Sequence, residues 1–416
     1  MLDLRLVTLT ATLAIVAAAC GSGAGAGATG APTPAPNATA GTPSEAPVAT
    51  EPSPSPSGSG GADLSHLRVS TSSWSTDFTI ASVDLGGFAS GGVPKDGIPA
   101  IDDPKFESIA DAETWLAPNA PVISLVVNGQ ARAYPLAVLI WHEITNDTLG
   151  GVPVVVTFCP LCHTALVFER TVDGTLYDFG TTGNLRFSDL VMYDRQTESW
   201  WQQATGQALV GTLTGTSLTF LPAQIVSLAD FKIAHPDSDV LSRDTGNERP
   251  YGANPYPGYD SADERPFLYE GGVDGRLAPK ERIVTISREG KTIAVPYSAL
   301  EAEGAIEIDT SPDPTVVFWT PGTAAALDEN RIDDGRDVGA TGVFVPILDG
   351  HRLTFSRDGG RDAPIKDAET GSTWSVTGLA TAGELAGSQL EPVVAGDHFW
   401  FAWAVFQPDT EVYGLS

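Results

Sequence analysis

Residues 122–135 read VISLVVNGQARAYP and residues 283–296 read IVTISREGKTIAVP. In the first, an apolar run meets Asn128-Gly129, a tight-turn signal, and a second run returns to Pro135. The second stretch matches it at a constant offset of 161: Gly129 with Gly290, Ala133 with Ala294, Pro135 with Pro296, Leu139 with Leu300. The matches continue through Val155 and Val316, Val156 and Val317, Pro160 and Pro321, Ala165 and Ala326, and Leu166 and Leu327. Further on the offset is 173, then 172: Asp194 with Asp367, Thr197 with Thr370, Ser199 with Ser372, Trp201 with Trp374, Gly206 with Gly378. Self-similarity in constant order reads as a duplicated unit, over 121–243 and 282–416.

One unit is a hairpin, a short helix from Pro135 through Ile144, and a buried strand over 152–158. A hairpin about Asp173-Gly174 follows, then short strands and a helix opened by Ser227 and Asp230. The expected fold is α+β and β-rich: two tandem copies of a mostly antiparallel unit with short helices. Residues 63–120 form an N-terminal extension. Residues 244–281 form a Tyr/Pro-rich connector, either packed between the units or a lid over a site.

The chain begins with an apolar run from Leu6 to Ala19. That is short of the roughly 20 residues a membrane helix needs and fits a signal-peptide core. Ala17-Ala18-Ala19 leads into Cys20, so residues 1–20 read as a lipoprotein-type signal peptide with Cys20 as the lipidation site. Residues 21–62, rich in Gly, Ala, Ser, Thr and Pro, have too little apolar surface to fold and read as a tether. The expectation is an exported protein on the extracytoplasmic face, with the membrane as partner through its lipid anchor. A formal charge of −29, from 52 acidic and 23 basic residues, provides no basic face for phosphates, so no nucleic-acid partner is expected.

Two cysteines remain, Cys159 and Cys162. Outside the cytoplasm such a pair is metal-bound, oxidised or cycling. The two copies act as controls for each other. Cys159 and Cys162 align with Thr320 and Thr323, His142 with Glu303, His163 with Ala324, and Met192 with Ile365 or Pro364. Two thiolates at this spacing provide half of a tetrahedral site. His142 and Met192 are the candidates to complete it, and sulfur with imidazole suits copper or zinc. The same pair also suits a thiol–disulfide oxidoreductase, although strand-forming residues after Cys162 replace the helix that lowers a thiol pKa in thioredoxin-like sites. A third reading is a scaffold lipoprotein with a structural disulfide.

Several blocks are specific: Ala133-Tyr134-Pro135-Leu136, Trp141-His142-Glu143, Phe158-Cys159-Pro160-Leu161-Cys162, Leu190-Val191-Met192-Tyr193-Asp194-Arg195 and Phe399-Trp400-Phe401-Ala402-Trp403. They resemble a prokaryotic family catalogued as domain of unknown function number 3179. The resemblance spans nearly the whole chain after residue 95 and implies an extracytoplasmic protein. It implies no activity. His142 and Met192 fall inside blocks typical of the family, whereas His163 stands where the family more often has Asn.

Overall fold

The computed structural model describes residues 62–288, 290–310 and 314–415. The signal-peptide, Cys20 and tether expectations fall outside these residues, Ala62 apart.

The opening hairpin forms as its sequence requires. Strands β1 (Pro121–Val127) and β2 (Gln130–Pro135) pair antiparallel around Asn128 and Gly129, both at positive φ. Helix α1 (Leu136–Leu139) is a single turn, and β3 already begins at Ile144 (Ile144–Leu149). The helix is therefore shorter than the expected run to Ile144. Gly150-Gly151 turns the chain into β4 (Val152–Cys159), and β5 (Thr164–Glu169) returns beside it. Next come β6 (Phe179–Arg186), β7 (Asp189–Asp194) and β8 (Trp200–Gln202). Strand β9 (Ala223–Ser227) leads into α2 (Leu228–Ala234), whose first turn is capped by Ser227 accepting from the Asp230 N–H, and β10 (Asp239–Leu241) follows.

The later stretch supplies β11 (Arg282–Arg288), β12 (Lys291–Pro296), α3 (Tyr297–Glu303), β13 (Ala305–Ile308), β14 (Thr315–Thr320) and β15 (Ala340–Val345). It continues with β16 (Ile365–Asp367), β17 (Thr373–Trp374), β18 (Ala395–Phe399), α4 (Trp400–Ala404) and β19 (Glu411–Val412). The two stretches pair alike. One sheet contains β9-β1-β2-β10 and another β18-β11-β12-β19, each with its last strand parallel to its neighbour. Ile144 faces Thr157 and, 161 residues on, Ala305 faces Phe318. The halves also join. Asp397 in β18 pairs with Ala165 in β5, so one sheet runs β19-β12-β11-β18-β5-β4-β3.

The pairings correct part of the sequence alignment. Cys159 faces Thr164 across β4 and β5, whereas Thr320 faces Ala340 across β14 and β15. The second half therefore inserts residues before β15. By pairing, Ala165 and Leu166 do not correspond to Ala326 and Leu327. The residue just before each returning strand is His163 or Gly339, not His163 or Ala324. Both have positive φ.

Residues shared by the halves serve the scaffold. The Asp194 carboxylate accepts from Thr197 N at 2.6 Å, Thr197 Oγ1 at 2.9 Å and Trp201 Nε1 at 3.0 Å. Asp367 accepts from Thr370 N at 2.6 Å, Thr370 Oγ1 at 2.8 Å and Trp374 Nε1 at 2.9 Å. Each carboxylate locks a turn and satisfies the indole of a buried Trp. Asp194→Ala and Asp367→Ala should each lower unfolding free energy by about 3 kcal/mol, because a buried N–H loses a charged acceptor. Urea titration of the two variants checks this.

Candidate metal centre

The site forms where β4 ends. Pro160–Cys162 make one 3₁₀ turn between the cysteines, and His163 leaves it in the left-handed region at φ 51°. The chain then enters β5 directly, with no α-helix after the pair. Both cysteines are free thiols and fully buried.

A third donor comes from a hairpin turn. Arg186 pairs with Asp189 across β6 and β7, leaving Phe187 and Ser188 as a two-residue turn with φ of 54° and 69°. Such turns normally use Asn-Gly, since side chains disfavour positive φ. Here the turn brings Asp189 to the thiols. The Cys162 Sγ–H donates to Asp189 Oδ1 at 2.9 Å, and Cys159 Sγ lies 3.8 Å from Ser188 O. Asp189 Oδ2 accepts from Gln202 Nε2 at 2.5 Å and from Ala204 N at 3.0 Å, which fixes the carboxylate. One ligand atom from each of Cys159, Cys162 and Asp189 lies within 4.8 Å of the others. These three can hold a metal ion.

Glu143 is a further carboxyl beside this cluster. It is buried and sits at φ 59°. Its counterpart 161 residues on is Gly304, also at positive φ. The equivalence is structural: Phe158 N donates to Glu143 O and Trp319 N to Gly304 O, both at 2.8 Å. Where the second half has Gly304 and Gly339, the first half holds Glu143 and His163, likewise at positive φ. Glycine adopts this conformation freely and other residues do not. Of ten non-glycine residues with positive φ among the described residues, Glu143, His163, Phe187 and Ser188 belong to this one site. Strain retained at one place points to function.

The electrostatics are one-sided. Burial pushes Glu143 up to about 8, and the nearby Asp189 charge adds to it. Burial pushes Asp189 up to about 6 against the bonds it accepts. Both thiols are raised, first by burial, Cys162 well above its ordinary value. Among the described residues, no lysine or arginine is a leading influence on these four groups. Arg186 donates to Gln202 Oε1 at 3.5 Å, and Arg282 donates to His163 Nε2 and to Asp260 Oδ2 at 2.9 Å. Asp260 also accepts from Arg336 at 2.9 Å, so that charge is committed.

The connector packs onto this centre. Tyr259 Oη donates to Leu161 O at 2.9 Å, inside the cysteine turn. Burial raises the Tyr256 and Tyr259 hydroxyls, and the neighbouring negative groups add to the effect.

Of the residues chosen from sequence, the structure brings Cys159 and Cys162 together. It places His142 elsewhere. Nδ1 of His142 lies 2.7 Å from Pro99 O and Nε2 2.7 Å from Tyr251 Oη. Since Pro99 O only accepts, Nδ1 carries the proton and Nε2 accepts from the tyrosine. Met192 is buried at mid-strand in β7, opposite Thr181 and Trp201. His163 stacks on Phe399 and is kept neutral by burial and by Arg282. Sequence reasoning missed Asp189 and Glu143.

A family model described as a protein of unknown function (DUF3179) matches residues 95–410. The chain belongs to this family. The matched region contains Glu143, both cysteines and Asp189, so the centre is built wholly from the DUF3179 part of the chain. No curated protein and no solved structure matches it.

Proposed function

We propose that this protein is a lipid-anchored, extracytoplasmic metal-binding protein whose ion is held by Cys159, Cys162 and Asp189. The observation that carries the reading is the convergence of two buried thiols and a fixed carboxylate, with a second buried carboxyl beside them and no compensating base. Burying so much potential negative charge is unfavourable without a counterion. A cation bound by the deprotonated groups supplies it.

The donor set narrows the metal. Two thiolates favour copper or zinc, and a carboxylate donor moves the preference toward zinc, which takes sulfur and oxygen in one tetrahedron. Three protein donors leave the fourth position for Glu143 or a water. The lipid anchor rests on the Cys20 motif, and mass spectrometry of the mature N-terminus tests it.

Elemental analysis of protein purified without chelator tests the metal, together with a thiol count under denaturation. The expected result is about one equivalent of zinc or copper and both Cys159 and Cys162 titrating once it is removed. Absence of metal with no titratable thiol at these positions overturns the reading. It favours a Cys159–Cys162 disulfide and the thiol–disulfide chemistry the same turn allows.

A further inference from the structure

A second site lies where the two halves meet. Strand β9 of the first half approaches β15 and β18 of the second. Between them is a cavity of about 130 Å³. Pockets of this kind form where structural units meet.

Its wall is mostly carbon, from Val126, Ala223, Val284, Val343, Phe344 and Val393. Gly342 keeps the wall open. A Cβ there would meet Val376 O at 2.1 Å and Gln224 Nε2 at 2.7 Å. Besides Ser124, Thr341, Thr377 and Gln389, three polar residues of the lining bear on its ligand. Asp397 is engaged: Oδ1 accepts from Tyr297 Oη at 2.6 Å and from Thr341 Oγ1 at 3.0 Å. Gln224 and His235 also line the cavity. Among the described residues, neither side chain has a hydrogen-bond partner.

We propose that this cavity binds a small neutral molecule with an apolar body the size of a phenyl ring and one hydroxyl. The size follows from the volume, since an apolar cavity of about 150 Å³ admits benzene. The hydroxyl follows from Gln224 and His235, which together offer a donor and an acceptor. Asp397 in the same wall opposes an anionic ligand, and because its carboxylate is already engaged by Tyr297 and Thr341 it is not held free for a cation. The site is independent of the cysteine centre and uses residues from both halves.

Benzyl alcohol is the probe, titrated into the full-length protein and followed by ligand-observed NMR, with toluene and benzoate as comparisons. Benzyl alcohol should bind saturably and benzoate at least about tenfold more weakly. Gln224→Leu should weaken benzyl alcohol by about tenfold while leaving toluene unchanged, which separates hydroxyl recognition from apolar filling. Ala223→Leu and Ala395→Leu each fill the cavity, and either one, if folded, should abolish saturable binding. No saturable binding of benzyl alcohol overturns the proposal. So does unchanged binding in a folded cavity-filling variant.

Discussion

If the proposed centre holds an ion, Cys162→Ser should yield a protein without it. Cys162 would supply one of the two thiolates to the ion, and without the ion the Cys162 thiol donates to Asp189 Oδ1 at 2.9 Å, so the substitution disturbs two of the three donors at once. Affinity should fall by more than about a hundredfold, the loss that outer partners of a metal ligand already cause. Asp189→Asn keeps the shape and removes the charge, and it should also lose the ion. His142→Ala and Met192→Leu should keep full occupancy, because His142 is committed to Pro99 and Tyr251 and Met192 is packed opposite Trp201. Metal-to-protein ratios of the four variants, each checked for fold by near-UV circular dichroism, decide this. Retention by Cys162→Ser would overturn both ligand sets, and loss by His142→Ala would return the choice to the set read from sequence.

Glu143 should control the alkaline limb of stability in the metal-free protein. Its carboxyl ionises near pH 8 when folded, against an ordinary value of 4.5. Between those values the native chain keeps a proton that the unfolded chain has lost. The stability this confers is complete below pH 4.5 and falls as pH rises to 8. At about 1.4 kcal/mol per pH unit, the loss across the window is roughly 4–5 kcal/mol. Buried His398 acts with the opposite sign. Burial holds it down to about 3, so stability from its neutral form falls as pH drops from 6.5 toward 3. Comparison with Glu143→Gln isolates the carboxyl, because glutamine resembles the protonated acid. The two proteins should be similar near pH 5. By pH 8.5 the variant should be the more stable by roughly 4 kcal/mol. Urea unfolding at the two pH values measures it, and parallel curves would remove Glu143 from the buried cluster.

Much of the fold could be read from the residues because its signals are local. Asn128-Gly129 dictates a hairpin, Ser227 with Asp230 caps a helix, and the apolar run from Val152 makes a buried strand. The insertion before β15 was hidden by chance identities, Ala165 with Ala326 and Leu166 with Leu327. Only strand pairing, which is non-local, shows that Ala340 takes the place opposite Thr320.

The candidate site was half legible. Cys159 and Cys162 carry their own spacing. Asp189 reaches them only because a strained turn joins β6 to β7, and nothing in the spacing of residues 159 and 189 reports that. Comparing the halves by residue type passes over it too, since Asp362 stands 173 residues on but is exposed. Glu143 did have a signal, as the counterpart of a glycine at a helix end. Its meaning depends on backbone angle, and residue type alone does not give that. His142 was attractive for its chemistry, and its hydrogen bonds show a ring serving the packing around Tyr251.

The pairing of Asp397 with Ala165 bears on how this chain can be divided. A fragment ending before the connector would uncover the Ala165 end of β5, whose other end, Val167 to Glu169, stays paired with residues 219–221 of the same half, and an uncovered strand segment invites other chains. The second half alone would expose the matching edge of β18. Each half thus covers a strand edge of the other, and the half that lacks the cysteine pair still has a reason to be kept.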